Sequence, residues 1–117
     1  MGESHKVVVI GGVACGCKAA ARLARLDPAA DITIVEQGSV LSYAGCGLPY
    51  YIQGKVSELR DLTSTAVGVP RNPNFFRSVK GIRALLNTQA VRIDRDAKTV
   101  EVVQLDTGVT DTLHYDQ

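Results

Sequence analysis

Tryptophan is absent from the sequence and aromatic side chains are scarce, four tyrosines and two phenylalanines in 117 residues. With a formal charge of only +1, that scarcity argues against a nucleic-acid binder, which needs a basic surface, although a local basic patch could still hold one anionic ligand. Long apolar runs are missing too. The N-terminal residues lead straight into Val7-Val8-Val9-Ile10, a run far too short for a signal peptide or a membrane span. Cysteine is limited to three residues, an odd number, and Cys15 and Cys17 sit together in a small-residue helix start. That is no disulfide framework for a secreted chain. The expectation is a cytoplasmic protein with reduced thiols and with neither nucleic acid nor membrane as a partner. At this length and 45% hydrophobic content, one domain with a modest core is the ceiling.

What is present is an α/β pattern. Lys6 to Ile10 reads as a buried parallel strand, because consecutive branched aliphatics end in Gly11-Gly12, a turn signal. Ala14 to Leu26 follows as a helix: Gly16, Ala19, Ala20, Leu23 and Leu26 recur at helical spacing, and Asp27-Pro28 stops it. Asp31 to Glu36 is a second short strand, which makes a strand-helix-strand unit with a right-handed crossover expected. Ser42 to Gln53 is a glycine-rich shaped loop in which Leu48 to Ile52 can form a short helix. Thr63 to Pro73 reads as a surface loop, and Asn74 to Val79 as another short helix. Ile82 to Leu86 suits a third parallel strand, and Ala90 to Ile93, Thr99 to Leu105 and Thr110 to Tyr115 a three-stranded meander.

The first turn carries a nucleotide fingerprint. Phosphate approaching a helix N-terminus meets unpaired backbone N–H groups, provided that no side chain blocks the way. The dinucleotide motif G-x-G-x-x-G maps onto Gly11 to Gly16, with Val13 in place of the second glycine. The motif follows a strand, opens a helix and is followed by Glu36 at the end of the second strand, where a carboxylate can bind a ribose hydroxyl. The bland alternative is that these glycines only permit tight packing. On the helix, Lys18, Arg22 and Arg25, at i, i+4 and i+7, share one face, which serves equally as an anion-binding row or as a solvated surface.

Cys46 lies between two glycines in Leu41-Ser42-Tyr43-Ala44-Gly45-Cys46-Gly47-Leu48-Pro49-Tyr50-Tyr51. A lone cysteine is ordinarily a buried structural residue. However, Val-Ile-Gly-Gly-Val-Ala at 9 to 14, Lys-Ala-Ala-Ala-Arg-Leu at 18 to 23 and the cysteine loop at 42 to 51 together resemble the single-cysteine branch of the pyridine nucleotide-disulfide oxidoreductases. That branch includes coenzyme A-disulfide reductases, NADH oxidases and peroxidases, and CoA-persulfide or polysulfide reductases. The resemblance runs along essentially the whole chain.

It implies a Rossmann-like FAD/NAD(P)-binding domain, a parallel sheet carrying a three-stranded β-meander. Residues 1–117 would be a partial FAD-binding domain, with the nicotinamide-binding and dimerisation domains of the homodimeric family absent. It also implies FAD as cofactor, NAD(P)H as electron donor and a small thiol or disulfide substrate, favouring one linked to coenzyme A. Cys46 becomes the redox-active cysteine. Gly11, Val13, Ala14, Gly16 and Glu36 fall where the family holds the FAD pyrophosphate and ribose, and Val91 near the adenine. Lys18, Arg22, Arg25, Ser42 and Lys80 fall at coenzyme A contacts. Gly45 stands where the coenzyme A-disulfide reductases often carry asparagine. Cys15 and Cys17 are extra thiols, expected as small buried residues packed against the nucleotide loop. Two alternatives are an NADH oxidase or peroxidase cycling Cys46 through a sulfenic acid, and a non-catalytic dinucleotide-binding module.

Overall fold

The computed structural model describes residues 4–43, 45–65 and 71–117. Strand β1 (Lys6–Ile10), helix α1 (Ala14–Leu26) and strand β2 (Asp31–Val35) form the expected opening unit. The third parallel strand, β3 (Arg83–Leu85), lies beside β2, giving the order β1-β2-β3 with Val8 opposite Thr33 and Val35 opposite Leu85. Strand β2 is apolar on both faces because both are covered. Ile32 and Ile34 pack with Ala20 and Cys17 of α1 and with Phe76 and Ile82. Val35, on the opposite face, meets Val100 and Val102 of the meander. Each fully buried isoleucine contributes about 1.5–3 kcal/mol. Thr33 is the polar exception inside β2; its hydroxyl oxygen accepts from the Arg83 guanidinium at 3.1 Å, so its burial leaves no polar atom unpaired.

The meander comprises β4 (Thr88–Asp94), β5 (Thr99–Gln104) and β6 (Thr110–His114), antiparallel in that order. Its turns come from Asp94, whose carboxylate accepts the Asp96 and Ala97 N–H groups, and from Gly108 at φ +73°. The pairing shifts between Ala90 and Arg92, which makes Val91 the extra residue of a β-bulge. Beyond β6 the backbone returns to β1: Val8 N–H donates to the Gln117 carbonyl at 3.0 Å and Gln117 N–H to the Lys6 carbonyl at 3.2 Å. The Lys6 N–H donates to the Asp116 carboxylate at 2.8 Å, which holds that carboxyl below its ordinary range.

Between the two sheets the chain departs from a plain loop. Gly45–Gly47 forms a 3-10 turn, and α2 (Leu48–Ile52) follows as expected. Leu59–Thr63 adds a second 3-10 turn. The expected helix at Asn74 to Val79 is a single helical turn, α3 (Pro73–Phe75), running into a π-helical turn over Phe76–Lys80 that Gly81 ends at φ +67°. Part of the Thr63 to Pro73 loop and Ala44 lie outside the described residues. Among the described residues no helix is long and apolar enough to cross a membrane.

Candidate functional site

The glycines of the first turn each have a distinct task. Gly11 sits at φ +103° with open space where a side chain would project. A Cβ on Gly12 would lie 2.4 Å from Leu41, and one on Gly16 would lie 1.7 Å from the Gly11 carbonyl oxygen. Helix α1 therefore starts almost in contact with the end of β1. Val13 at its N-cap makes no side-chain capping bond, and the first turn carries no acidic residue. The first-turn N–H groups, beginning at Ala14, are thus left for an outside acceptor, as a phosphate requires.

Glu36 bridges this turn. Its two carboxylate oxygens accept from the N–H groups of Gly12 at 2.9 Å and Gly38 at 2.7 Å. Each oxygen keeps lone-pair capacity for a further donor such as a ribose hydroxyl. A cleft of about 220 Å³ opens here, lined among others by Ile10, Gly11, Glu36, Gln37 and Ala90. Val91, next to Ala90, is half exposed and is not among the lining residues. An uncapped helix start, a side-chain-free approach at Gly11 and a pinned carboxylate suit the phosphate and ribose of a dinucleotide.

The cysteine loop is tied to the same turn. The Gly12 carbonyl accepts from the Ser42 N–H at 2.7 Å and from the Cys17 thiol at 3.1 Å. Ser42 itself adopts a left-handed conformation at φ +55°. Four residues later in the chain, Cys46 is exposed in its 3-10 turn. Cys17 is buried, as expected, and burial pushes its thiol up against the lowering effect of Ser42. Cys15 corrects the expectation: it is exposed. Two positions along a helix differ by about 200° in direction, so Cys15 and Cys17 cannot both face the sheet. Alkylation of the native chain near pH ~8 is expected to label Cys46 and Cys15 and to spare Cys17 until denaturant is added. Peptide mapping in which Cys17 reacts as fast as Cys46 would contradict this order.

The basic row divides between two hollows. Lys18 and Arg25 line one of about 400 Å³ together with Ser42, Lys80, Arg71 and Phe75. Arg22 does not reach it; with Cys15, Ala19 and the shared Lys18 and Arg25 it lines a neighbouring hollow of about 500 Å³. Arg71 was not anticipated, since it stands in a segment without periodicity and only the fold brings it to α1. Among the described residues no cluster suited to a metal ion occurs.

The family model for the pyridine nucleotide-disulphide oxidoreductases matches residues 5–117. The chain belongs to this family. Coenzyme A disulfide reductase from Staphylococcus haemolyticus is 34% identical over 113 residues, covering 97% of this chain and 24% of that protein. Among solved structures, the NAD-dependent persulfide reductase from A. fulgidus matches with a TM-score of 0.91 at 47% identity, over 95% of this chain and 20% of that one. The water-forming NADH oxidase from Lactobacillus brevis, solved bound to NADH, matches at TM-score 0.84 and 29% identity over 97% and 24% of the respective chains. These relatives belong to the branch that the cysteine loop resembles, and the fold is the family's Rossmann type. The expected cofactors, FAD with NAD(P)H, are those of the family. The chain spans about a quarter or less of the length of the relatives it matches.

Proposed function

We propose that this chain is the flavin-binding, thiol-bearing part of an NAD(P)H-dependent reductase of coenzyme A disulfide, persulfide or polysulfide, with Cys46 as nucleophile. The observation that carries the reading is the attachment of the exposed Cys46 loop, through Ser42, to the carbonyl of the nucleotide turn. Residues 1–117 stand in this reading for a partial FAD-binding domain of a cytoplasmic homodimer whose nicotinamide-binding and dimerisation domains lie outside the chain. Gly11, Val13, Ala14 and Gly16 receive the pyrophosphate, Glu36 the ribose, and Val91 borders the adenine. Lys18, Arg22, Arg25, Ser42 and Lys80 hold the anionic portion of the substrate.

The Cys46 thiolate attacks one sulfur of a disulfide; the protein–substrate S–S bond forms as the substrate's own S–S bond breaks, and the second sulfur leaves as thiolate. When bound, FAD reduced by NAD(P)H would supply the two electrons that break the protein–substrate S–S bond, leaving Cys46 as thiolate and the retained substrate half as free thiol. Cys46 binds and releases the sulfur, and the tether to Gly12 fixes where its loop starts. The match to an NADH oxidase supports a second reading, in which peroxide converts Cys46 to a sulfenic acid.

One mapping experiment separates the two. Incubation with coenzyme A disulfide should leave a mixed disulfide on Cys46 in the peptide map. Under the reductase reading, peroxide with dimedone should label Cys46 much more slowly than coenzyme A disulfide does. A dimedone adduct on Cys46 without any coenzyme A adduct favours the oxidase. Labelling spread evenly over Cys15, Cys17 and Cys46 removes Cys46 from its assigned role.

A further inference from the structure

Four cations line the 400 Å³ hollow beside α1: Lys18 and Arg25 from the helix, Lys80 from the π-helical turn and Arg71 from the residues leading into α3. None of the lining residues is acidic. The ion pairs among the described residues, Arg60 with Glu58 and Arg83 with Asp31, engage none of the four. Like charges gathered with no ion pair to them among the described residues repel, and a ligand with several negative charges relieves that repulsion.

Arg71 is fixed at its backbone rather than left on a swinging loop. Its N–H donates to the Thr63 carbonyl at 2.7 Å. Its neighbour Asn72 caps α3, the side-chain oxygen accepting from the Phe75 N–H at 2.9 Å. Cys17, which also lines the hollow, feels this charge: burial raises its thiol, Ser42 lowers it, and of the two charged groups that act on it Glu36 raises it and Arg71 lowers it. The chemistry of the four cations differs as well. Lysine acts as a point charge, whereas the planar arginine fork matches two phosphate oxygens at once.

We propose that Arg71 is the specificity-determining residue of this hollow, pairing with a phosphate of a coenzyme A-type substrate and so favouring phosphorylated thiol carriers over unphosphorylated ones. The inference rests on the reading of the hollow as the substrate site, and its test separates the two. Titration calorimetry of the full chain with coenzyme A, dephospho-coenzyme A and pantetheine compares the wild type with Arg71→Gln, Arg71→Lys and Lys80→Ala. Arg71→Gln is expected to weaken coenzyme A binding about tenfold, with partial recovery in Arg71→Lys and no change for pantetheine. A loss seen with coenzyme A but not with its dephospho form places Arg71 on the phosphate monoester. Equal loss with both places it on the pyrophosphate, and either result supports the assignment. Unchanged affinity in Arg71→Gln while Lys80→Ala binds more weakly overturns the role of Arg71 alone. No binding by the wild type, or no effect of either variant, overturns the substrate reading of the hollow together with it.

Discussion

Gly16→Ala is expected to cost about 3–5 kcal/mol of stability and to abolish nucleotide binding. The new Cβ would stand 1.7 Å from the Gly11 carbonyl oxygen, and no rotamer change relieves a clash between two backbone-fixed atoms. Either α1 must lift from β1 or the turn must reshape, and both carry the helix N-terminus away from the cleft. Domains of this size have only about 5–15 kcal/mol in total, so the shift in a urea melt is large. Gly45→Ala is the matched control. Its Cβ meets only the Tyr43 ring at 3.4 Å, an ordinary contact, and its midpoint should stay within about 0.5 kcal/mol of wild type. If Gly16→Ala melts with the wild type, the close approach of α1 to β1 does not exist as described.

The second large effect falls on chemistry rather than folding. Cys46→Ser is expected to slow thiol release from coenzyme A disulfide by at least about a hundredfold, because a hydroxyl at that position is not an effective nucleophile toward sulfur. Stability should hardly change, since Cys46 is exposed. The exposed Cys15 makes a demanding control: Cys15→Ser should leave the rate as it was. A chain that keeps its rate without Cys46 and loses it without Cys15 would transfer the nucleophile's role to the start of α1.

The opening unit was readable because its signals are local. The apolar run of β1, the helical spacing of α1 and the Asp27-Pro28 stop match the observed bounds residue for residue, and β2 ends one residue before the expected Glu36. Glu36 instead turns its carboxylate back onto Gly12 and Gly38. The stretch from Ser42 to Lys80 was less legible because its order comes from tertiary bonds. The π-helical turn depends on Phe76 entering the core beneath α1, and nothing in its spacing announces that. The exposure of Cys15 follows from helical geometry once Cys17 takes the inward direction. The hollow was half visible: the row on α1 shares a face, but its separation from Arg22 and its completion by Arg71 depend on how the π-helical turn and its flanks pack against the helix.

The backbone of Gln117, hydrogen-bonded in parallel register alongside β1, has a consequence for where a ligand can enter. It makes β1 an interior strand, flanked by β2 on one side and by the returning chain on the other. From the C-terminal end of the parallel sheet the polypeptide departs over one layer after β1, as α1, and over the opposite layer after β3, as the meander. These two departures go to opposite layers, and the cleft lined by Gly11 and Ala90 opens between them. The mouth of the cleft is therefore a property of chain routing. Exchanging a side chain at its rim leaves that routing in place, unlike a Cβ at Gly16, and rerouting either connection would remove the cleft.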